Sequence, residues 1–348
     1  MRSVEIAVVG GGVAAAAAVL ALRERDRTIA VVAPSPPSGF LIGESLSQAA
    51  ERELECLKVL EAHRKEPYVE AQSRFSAWGS SALVEESAWP AAQHHGWILD
   101  RARFNDFLWE HASATPHSKF VAHVEKVTDD GEEWSLALRN GEHVRAKILL
   151  DCSGRAAVVA RRLGARMQLD KLVAAYSVFP HLDEAIEPTV AAMVESVPLG
   201  WCCSVVTPDG SMVVAFFTDS DQLPSSMATS ADVWRETLAG CVLTQKRIDT
   251  AGFRVDGTPQ IVDASTRISS VVATPRWLAA GDAAVCFDPL SSHGITTALW
   301  SGRTAALAAD DVLAGETHQL ATYDTTLRAG IDQYLLDRLN MYAAEQRF

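Results

Sequence analysis

The stretch Val4-Glu5-Ile6-Ala7-Val8-Val9-Gly10-Gly11-Gly12-Val13-Ala14-Ala15 decides the fold. Residues 4–9 are mostly β-branched and barely alternate, the pattern of a central parallel strand buried on both faces. Three glycines then break the strand, and a helix is expected from Val13 to about Arg25. A strand, a Gly-x-Gly turn and a helix in that order make a dinucleotide-binding loop. Gly10 permits the tight turn. Gly12 lets a pyrophosphate approach the backbone near the positive end of the helix dipole, and Ala15 allows close helix–strand packing. An acidic residue ordinarily ends the next strand and holds the adenosine ribose. Here residues 28–32 run into Ala33-Pro34-Ser35, so Ser35 is the candidate for that hydrogen bond.

The second deciding stretch lies far along the chain. Gly281-Asp282-Ala283-Ala284 follows an apolar strand expected at 277–280, and Phe287-Asp288-Pro289-Leu290-Ser291-Ser292-His293-Gly294 follows that. A carboxylate at Asp282 is placed to accept from a ribityl hydroxyl, while Gly281 clears space for the chain to pass. The turn at Pro289 and the helix start at Gly294 point backbone amides where a flavin ring gathers negative charge on reduction. A nicotinamide dehydrogenase has no use for this second element, so the expected cofactor is FAD.

These residues resemble the FAD-dependent monooxygenases of the aromatic-hydroxylase superfamily, in the branch that includes the flavin-dependent tryptophan halogenases. The resemblance runs over most of the chain. It rests on Gly10-x-Gly12, Gly43-Glu44-Ser45, Asp100-Arg101-x-x-Phe104, Asp151-Cys152-Ser153-Gly154-Arg155, Gly281-Asp282 and the run from Asp288 to Gly294. Ser76-Ala77-Trp78-Gly79-Ser80, His95-Gly96-Trp97, Gly200-Trp201 and Pro208-Asp209-Gly210 are similar to flavoproteins that mature tryptophylquinone cofactors in partner enzymes. The resemblance implies an α/β fold, a Rossmann-like FAD-binding domain carrying an inserted β-sheet substrate domain. The expected division is 1–66, 98–165 and 271–348 for the FAD-binding part, and 67–97 with 166–270 for the substrate part.

The resemblance also implies the chemistry. Arg101 would contact the FAD phosphate or ribityl region. Reduced flavin would take O2 to a C4a-hydroperoxide and hydroxylate an aromatic ring, with a tryptophan side chain of a partner protein as the leading substrate. Electrons would come from NAD(P)H or from a separate flavin reductase. Glu44, Trp201 and His293 are the catalytic candidates: a carboxyl to orient flavin or substrate, an aromatic face over the ring, and a proton exchanger at the helix start. Trp78, Trp89, Trp97 and Trp234 are further aromatics of the expected roof, above an open mouth. The rivals are a halogenase, an isoprenoid-type reductase and a non-catalytic FAD-binding protein. Against halogenation, the stretch 68–80, where the resemblance would put a catalytic lysine, has Arg74 and no lysine.

Composition narrows the partners. The net charge of −13 over 348 residues argues against nucleic acid, which needs a basic face. Six cysteines at irregular spacing suggest reduced thiols in a cytoplasmic protein, with no metal site expected. The first strand begins at once, so no signal peptide is expected, and the apolar run 14–22 is too short for a membrane span. Further helices are expected at 47–61, 100–111, near 231–239 and at 318–347, with a β-meander at 120–150. The glycine loop yields a direct test. Gly12→Glu sets a carboxylate against the phosphate, and the purified variant is expected to be colourless. Full yellow FAD content would refute the reading.

Overall fold

The computed structural model describes residues 2–35, 41–87, 95–183 and 185–348, with the side chain of Arg2 left aside. Trp89 of the sequence reading lies outside the described residues. The first strand, Arg2–Val9, pairs in parallel with His143–Asp151 on one side and Ile29–Ala33 on the other. Ile29–Ala33 pairs in parallel with Ser118–Val121, and His143–Asp151 with Trp277–Ala279. The strands 124–129 and 134–138, as an antiparallel meander, and the short strand Ala273–Thr274 beside Trp277–Ala279 complete this eight-stranded sheet. Parallel strands all end at one edge, and ligands of such sheets bind beyond that edge. Gly10, Ser35, Cys152 and Gly281 all follow strand ends there.

A seven-stranded sheet forms the second layer, in the order 260–263, 172–179, 212–219, 200–206, 192–197, 73–77 and 84–87. Its period-two alternation divides two packing clusters. Ala175, Cys202, Val214 and Phe216 meet Trp234, Leu238 and Ile248 of two covering helices. Ala174, Tyr176, Trp201, Ala215 and Phe217 face the opposite way.

The helix Val13–Ala21 is buried along nearly its whole length and crosses the helix Gly294–Leu313 at backbone contact. A methyl at Gly302 would lie 2.2 Å from the Ala14 carbonyl oxygen, and one at Gly281 would lie 3.1 Å from the Ala14 side chain. Small residues at all three points let the two motifs meet. The last helix, His318–Ala343, is anchored where the Tyr323 hydroxyl donates to the Ala279 carbonyl.

Several expectations are corrected. The first helix stops at Ala21, and the last at Ala343. The helix expected at 47–61 is a strand at Ser45–Ser47 and two short helices, Ala50–Cys56 and Leu60–His63. Lys58 takes a left-handed φ of 59°, its N–H donating to Glu55 and that of Val59 to Leu54. This pair of bonds is a Schellman closure reached without glycine, and buried Leu54 and Val59 seal it. A second helix, Val242–Thr250, follows the one at 231–240 and was not expected from its polar sequence. The buried Glu195 carboxylate, on a neighbouring strand, accepts from Leu243 N and Thr244 N at 2.9 Å each and caps it from a distance. A short strand at Val285–Cys286, not expected from the sequence, follows Trp277–Ala279.

The helix crossing can be tested through stability. Gly302→Ala forces the two helices apart, at an expected cost of about 1–3 kcal/mol. Chemical denaturation of the variant should show it, and an unchanged midpoint would mean that the contact does not hold the layers together.

Candidate functional site

The glycine loop is built by its neighbours. Gly10 has φ of +132°, and a methyl there would fall 2.1 Å from the Cys152 carbonyl oxygen, so only glycine fits. The Trp109 indole N–H donates to the Gly11 carbonyl at 2.8 Å and pins the loop. Gly12 precedes the first helix, and a methyl there would meet no protein atom within 4 Å. Its backbone therefore faces open space at a helix N-terminus. Ala15, the third residue of the helix, is fully buried, and Ser35 is exposed just past the end of its strand.

The Asp151-to-Arg155 stretch divides in role. Asp151 is fully buried, and one of its oxygens accepts from Val159 N at 2.7 Å and Ala160 N at 2.8 Å. The other accepts from the Ser153 amide at 3.1 Å. This carboxylate fastens the strand-to-helix corner. Arg155 reaches further, 3.8 Å from the Asp282 carboxylate and 3.6 Å from Asp263. Arg166 donates to the Asp282 carbonyl at 2.6 Å. Burial raises the Asp282 carboxyl, against Arg155, Arg166 and Arg101, which lower it.

Between the two sheets lies a cleft of about 650 Å³. Asp282, Pro289, His293 and Gly294 line one side, and Trp78, Trp201, Phe217 and Cys203 the other. Trp201 stacks on Phe217 with centroids 3.8 Å apart, at 11°. Its N–H donates to the Tyr342 hydroxyl at 3.2 Å. His293 is exposed at the helix start, and its side chain caps no backbone group. Arg101 begins the helix Arg101–Ala112, donates to Asn105 at 2.7 Å and packs beside Gly43. Burial holds its guanidinium below the usual arginine range.

Glu44 also lines the cleft, 8% exposed, and its Oε1 has no hydrogen-bond partner among the described residues. Burial raises its carboxyl to about 7, opposed by backbone hydrogen bonds and by Arg101. A carboxyl of that acidity holds or gives up a proton at neutral pH. Open backbone at Gly12 and an unpartnered carboxyl oxygen in the cleft both fit a bound dinucleotide cofactor.

The structure therefore gathers Glu44, Trp201, Asp282, Pro289, His293 and Gly294 around one cleft, with Gly281 linking it to the glycine loop. The aromatic roof is corrected. Trp97 is buried in the main core and Trp234 behind the seven-stranded sheet, so only Trp78 and Trp201 of the described tryptophans line the cleft. Met341 and Ala344, at the end of the last helix, form part of the cleft wall. Sequence reasoning gave Arg155 no role in the site and missed Cys203, Met341 and Ala344. Cys203 could have been found, since it stands two residues from Trp201 on one strand. His95 bonds the Glu86 carbonyl at 2.9 Å, and no group of three or more metal-type side chains gathers among the described residues. No described helix is long and apolar enough to cross a membrane.

This architecture is that of the FAD-dependent halogenases and hydroxylases. The flavin-dependent halogenase CmlS superposes with a TM-score of 0.84 at 24% identity, over 96% of this chain and 63% of its own length. The peptidyl tryptophan dihydroxylase QhpG, described as essential for tryptophylquinone cofactor biogenesis, superposes at 0.79 and 22% identity, over 99% and 76%. No family model matches the chain. In sequence it is 26% identical to the putative FAD-dependent oxidoreductase LodB of Marinomonas mediterranea, over 100% of this chain and 95% of that one. In sequence and fold the chain is thus similar to FAD-dependent oxidoreductases and to flavin-dependent halogenases and hydroxylases.

Glu44 gives this site a pH signature. Its folded pKa of about 7 lies above the ordinary 4.5. Below 4.5 both states hold the proton and burial costs nothing. Between those values the unfolded chain ionises while the fold does not, so stability falls as pH rises. Above 7 the fold carries the full cost, about 3 kcal/mol. Glu44→Gln cannot ionise, so its stability relative to the parent should climb through that window and then level off. Denaturation curves for the two proteins that stay parallel from pH 5 to 8 would contradict the assignment.

Proposed function

We propose that this chain binds FAD and uses it to hydroxylate an aromatic ring, with a tryptophan side chain of a partner protein as the leading substrate. The carrying observation is the cleft between the sheets. It has an aromatic wall at Trp78, Trp201 and Phe217, a carboxyl at Glu44, and no lysine among its described lining residues. Arg74, in the stretch where a halogenase-like lysine was sought, is tied to Glu86 at 2.9 Å. Similarity to QhpG supports the same reading, and similarity to CmlS keeps halogenation as the alternative to test.

In this reading the Gly12 backbone and the first helix hold the pyrophosphate, with Gly10 and Ala15 fixing the turn and Ser35 near the adenosine ribose. Arg101 balances phosphate charge, and Asp282 accepts from the ribityl chain beside Gly281. The turn at Pro289 and the amides at Gly294 would serve the pyrimidine edge of the ring. When bound, FAD supplies the activation of O2 and the transfer of one oxygen atom. The chain's own work is positioning and proton handling. Trp201 offers a flat face to an aromatic ring. Glu44 Oε1 accepts the proton that a hydroxylated ring carbon must lose, and His293, at the exposed rim, exchanges protons with solvent. NAD(P)H or a separate reductase supplies the electrons, and anaerobic titration with each nicotinamide distinguishes the two.

Mass spectrometry after turnover with reduced flavin and labelled O2 tests the proposal, with peptidyl tryptophan, free indole and phenols as substrates. Gain of one labelled oxygen atom is expected. Halide incorporation when halide is supplied, or substrate reduction without oxygen, would overturn it.

A further inference from the structure

The sequence motif Trp78-Gly79 has no part in the cofactor reading, yet it is tied closely to the end of the last helix. The Trp78 indole N–H donates to the Met341 carbonyl at 2.7 Å, and its ring meets Tyr342 edge-on at 5.7 Å. Gly79 takes φ of +68°, and a methyl there would stand 2.6 Å from the Ala344 carbonyl oxygen. Its amide donates to Glu345 Oε2 at 2.8 Å. The same carboxylate accepts from the Ser196 hydroxyl, and from Arg347 at 2.7 Å and 3.0 Å. Arg347 also donates to the Ala77 carbonyl at 3.3 Å. One turn earlier, the Tyr342 hydroxyl donates to Asp288 at 2.8 Å, and Arg338 bridges Asp288 and Asp170 at 3.3 Å and 2.9 Å.

This segment is held differently from the core. Its ties are hydrogen bonds and ion pairs at the rim, while its apolar Met341 and Ala344 face the cleft. Met341 is 37% exposed and Leu339 is 63% exposed, so little buried apolar area fastens it. Elements held this way open locally well before the whole fold does. Arg347 first, and then Ser196, hold the Glu345 carboxyl far below the usual range, so the latch is charged at neutral pH. Tyr342 further links the segment to Trp201, the aromatic face of the cleft.

We infer that residues 341–347 are a latched wall that sets which aromatic group the cleft admits, with Gly79 as the seat, Glu345 as the latch and Met341 and Ala344 as the selective lining. The inference rests on the reading of the cleft as an aromatic-substrate site. In this reading a free indole is admitted with the wall closed. An indole carried on a polypeptide needs the wall released, because its flanking chain must cross the rim where Met341 and Ala344 stand.

The test uses the FAD-loaded protein and three variants. Glu345→Gln removes the latch charge, Gly79→Ala drives a methyl against the Ala344 carbonyl, and Met341→Ala widens the lining while keeping the backbone acceptor for Trp78. Two probes, indole and a short capped peptide carrying one tryptophan, are titrated by their perturbation of the flavin absorbance. Hydrogen exchange of residues 338–347 is followed separately. Glu345→Gln and Gly79→Ala should speed that exchange about tenfold. All three variants should bind the peptide about fivefold tighter relative to indole. Faster exchange with an unchanged probe ratio would overturn the inference while leaving the proposed function standing. Unchanged exchange in both latch variants would overturn it too. If neither probe binds any of the proteins, the reading of the cleft fails and this inference with it.

Discussion

The site depends on a backbone contact between two helices. The Ala14 carbonyl sits against Gly302, and the Ala14 side chain sits against Gly281. Atoms this close leave no room for a methyl, so the helix after the glycine loop and the helix after Gly294 share one fixed spacing. That spacing sets Gly12 and Asp282, far apart in sequence, at neighbouring places on one sheet edge. The parallel strands do the rest, since each of their ends delivers a loop to the same edge. The hydrogen bonds from Gly10 N to Val32 O and from Cys152 N to Val9 O, both 2.8 Å, and from Ala280 N to Asp151 O at 2.9 Å, hold those ends in register.

What was legible in the sequence is what local rules govern. The first strand and the glycine loop follow from a β-branched run and turn residues, and the structure has both. What was not legible depends on partners distant in sequence. The helix 242–250 exists because Glu195 caps it from another strand, and no local pattern announces that. Lys58 closes a helix in a conformation that sequence rules assign to glycine. The cleft wall at Met341 carries no chemical signature at all, since a methionine and an alanine at a helix end read as surface. Glu44 was legible as a residue of interest, but its acidity was not, because burial is a property of the packed fold.

Charge around the cleft shows the same dependence. Asp282 stands among Arg155, Arg166 and Arg101, which arrive from three different segments. Asp263 adds a second carboxylate, 3.6 Å from Arg155, so both signs of charge meet at the junction of glycine loop and cleft.

The seven-stranded sheet has a consequence for change over time. Successive residues of each strand point to opposite faces, so one face answers to the covering helices and the other to the cleft. Cys202, Val214 and Phe216 are committed to the helices, whereas Trp201, Cys203, Ala215 and Phe217 are not. Substitutions on the second set leave the supporting core untouched. The sheet can thus be refitted to a new ligand one side chain at a time without re-solving the problem of folding, a separation of duties that lets one scaffold host several chemistries among its relatives.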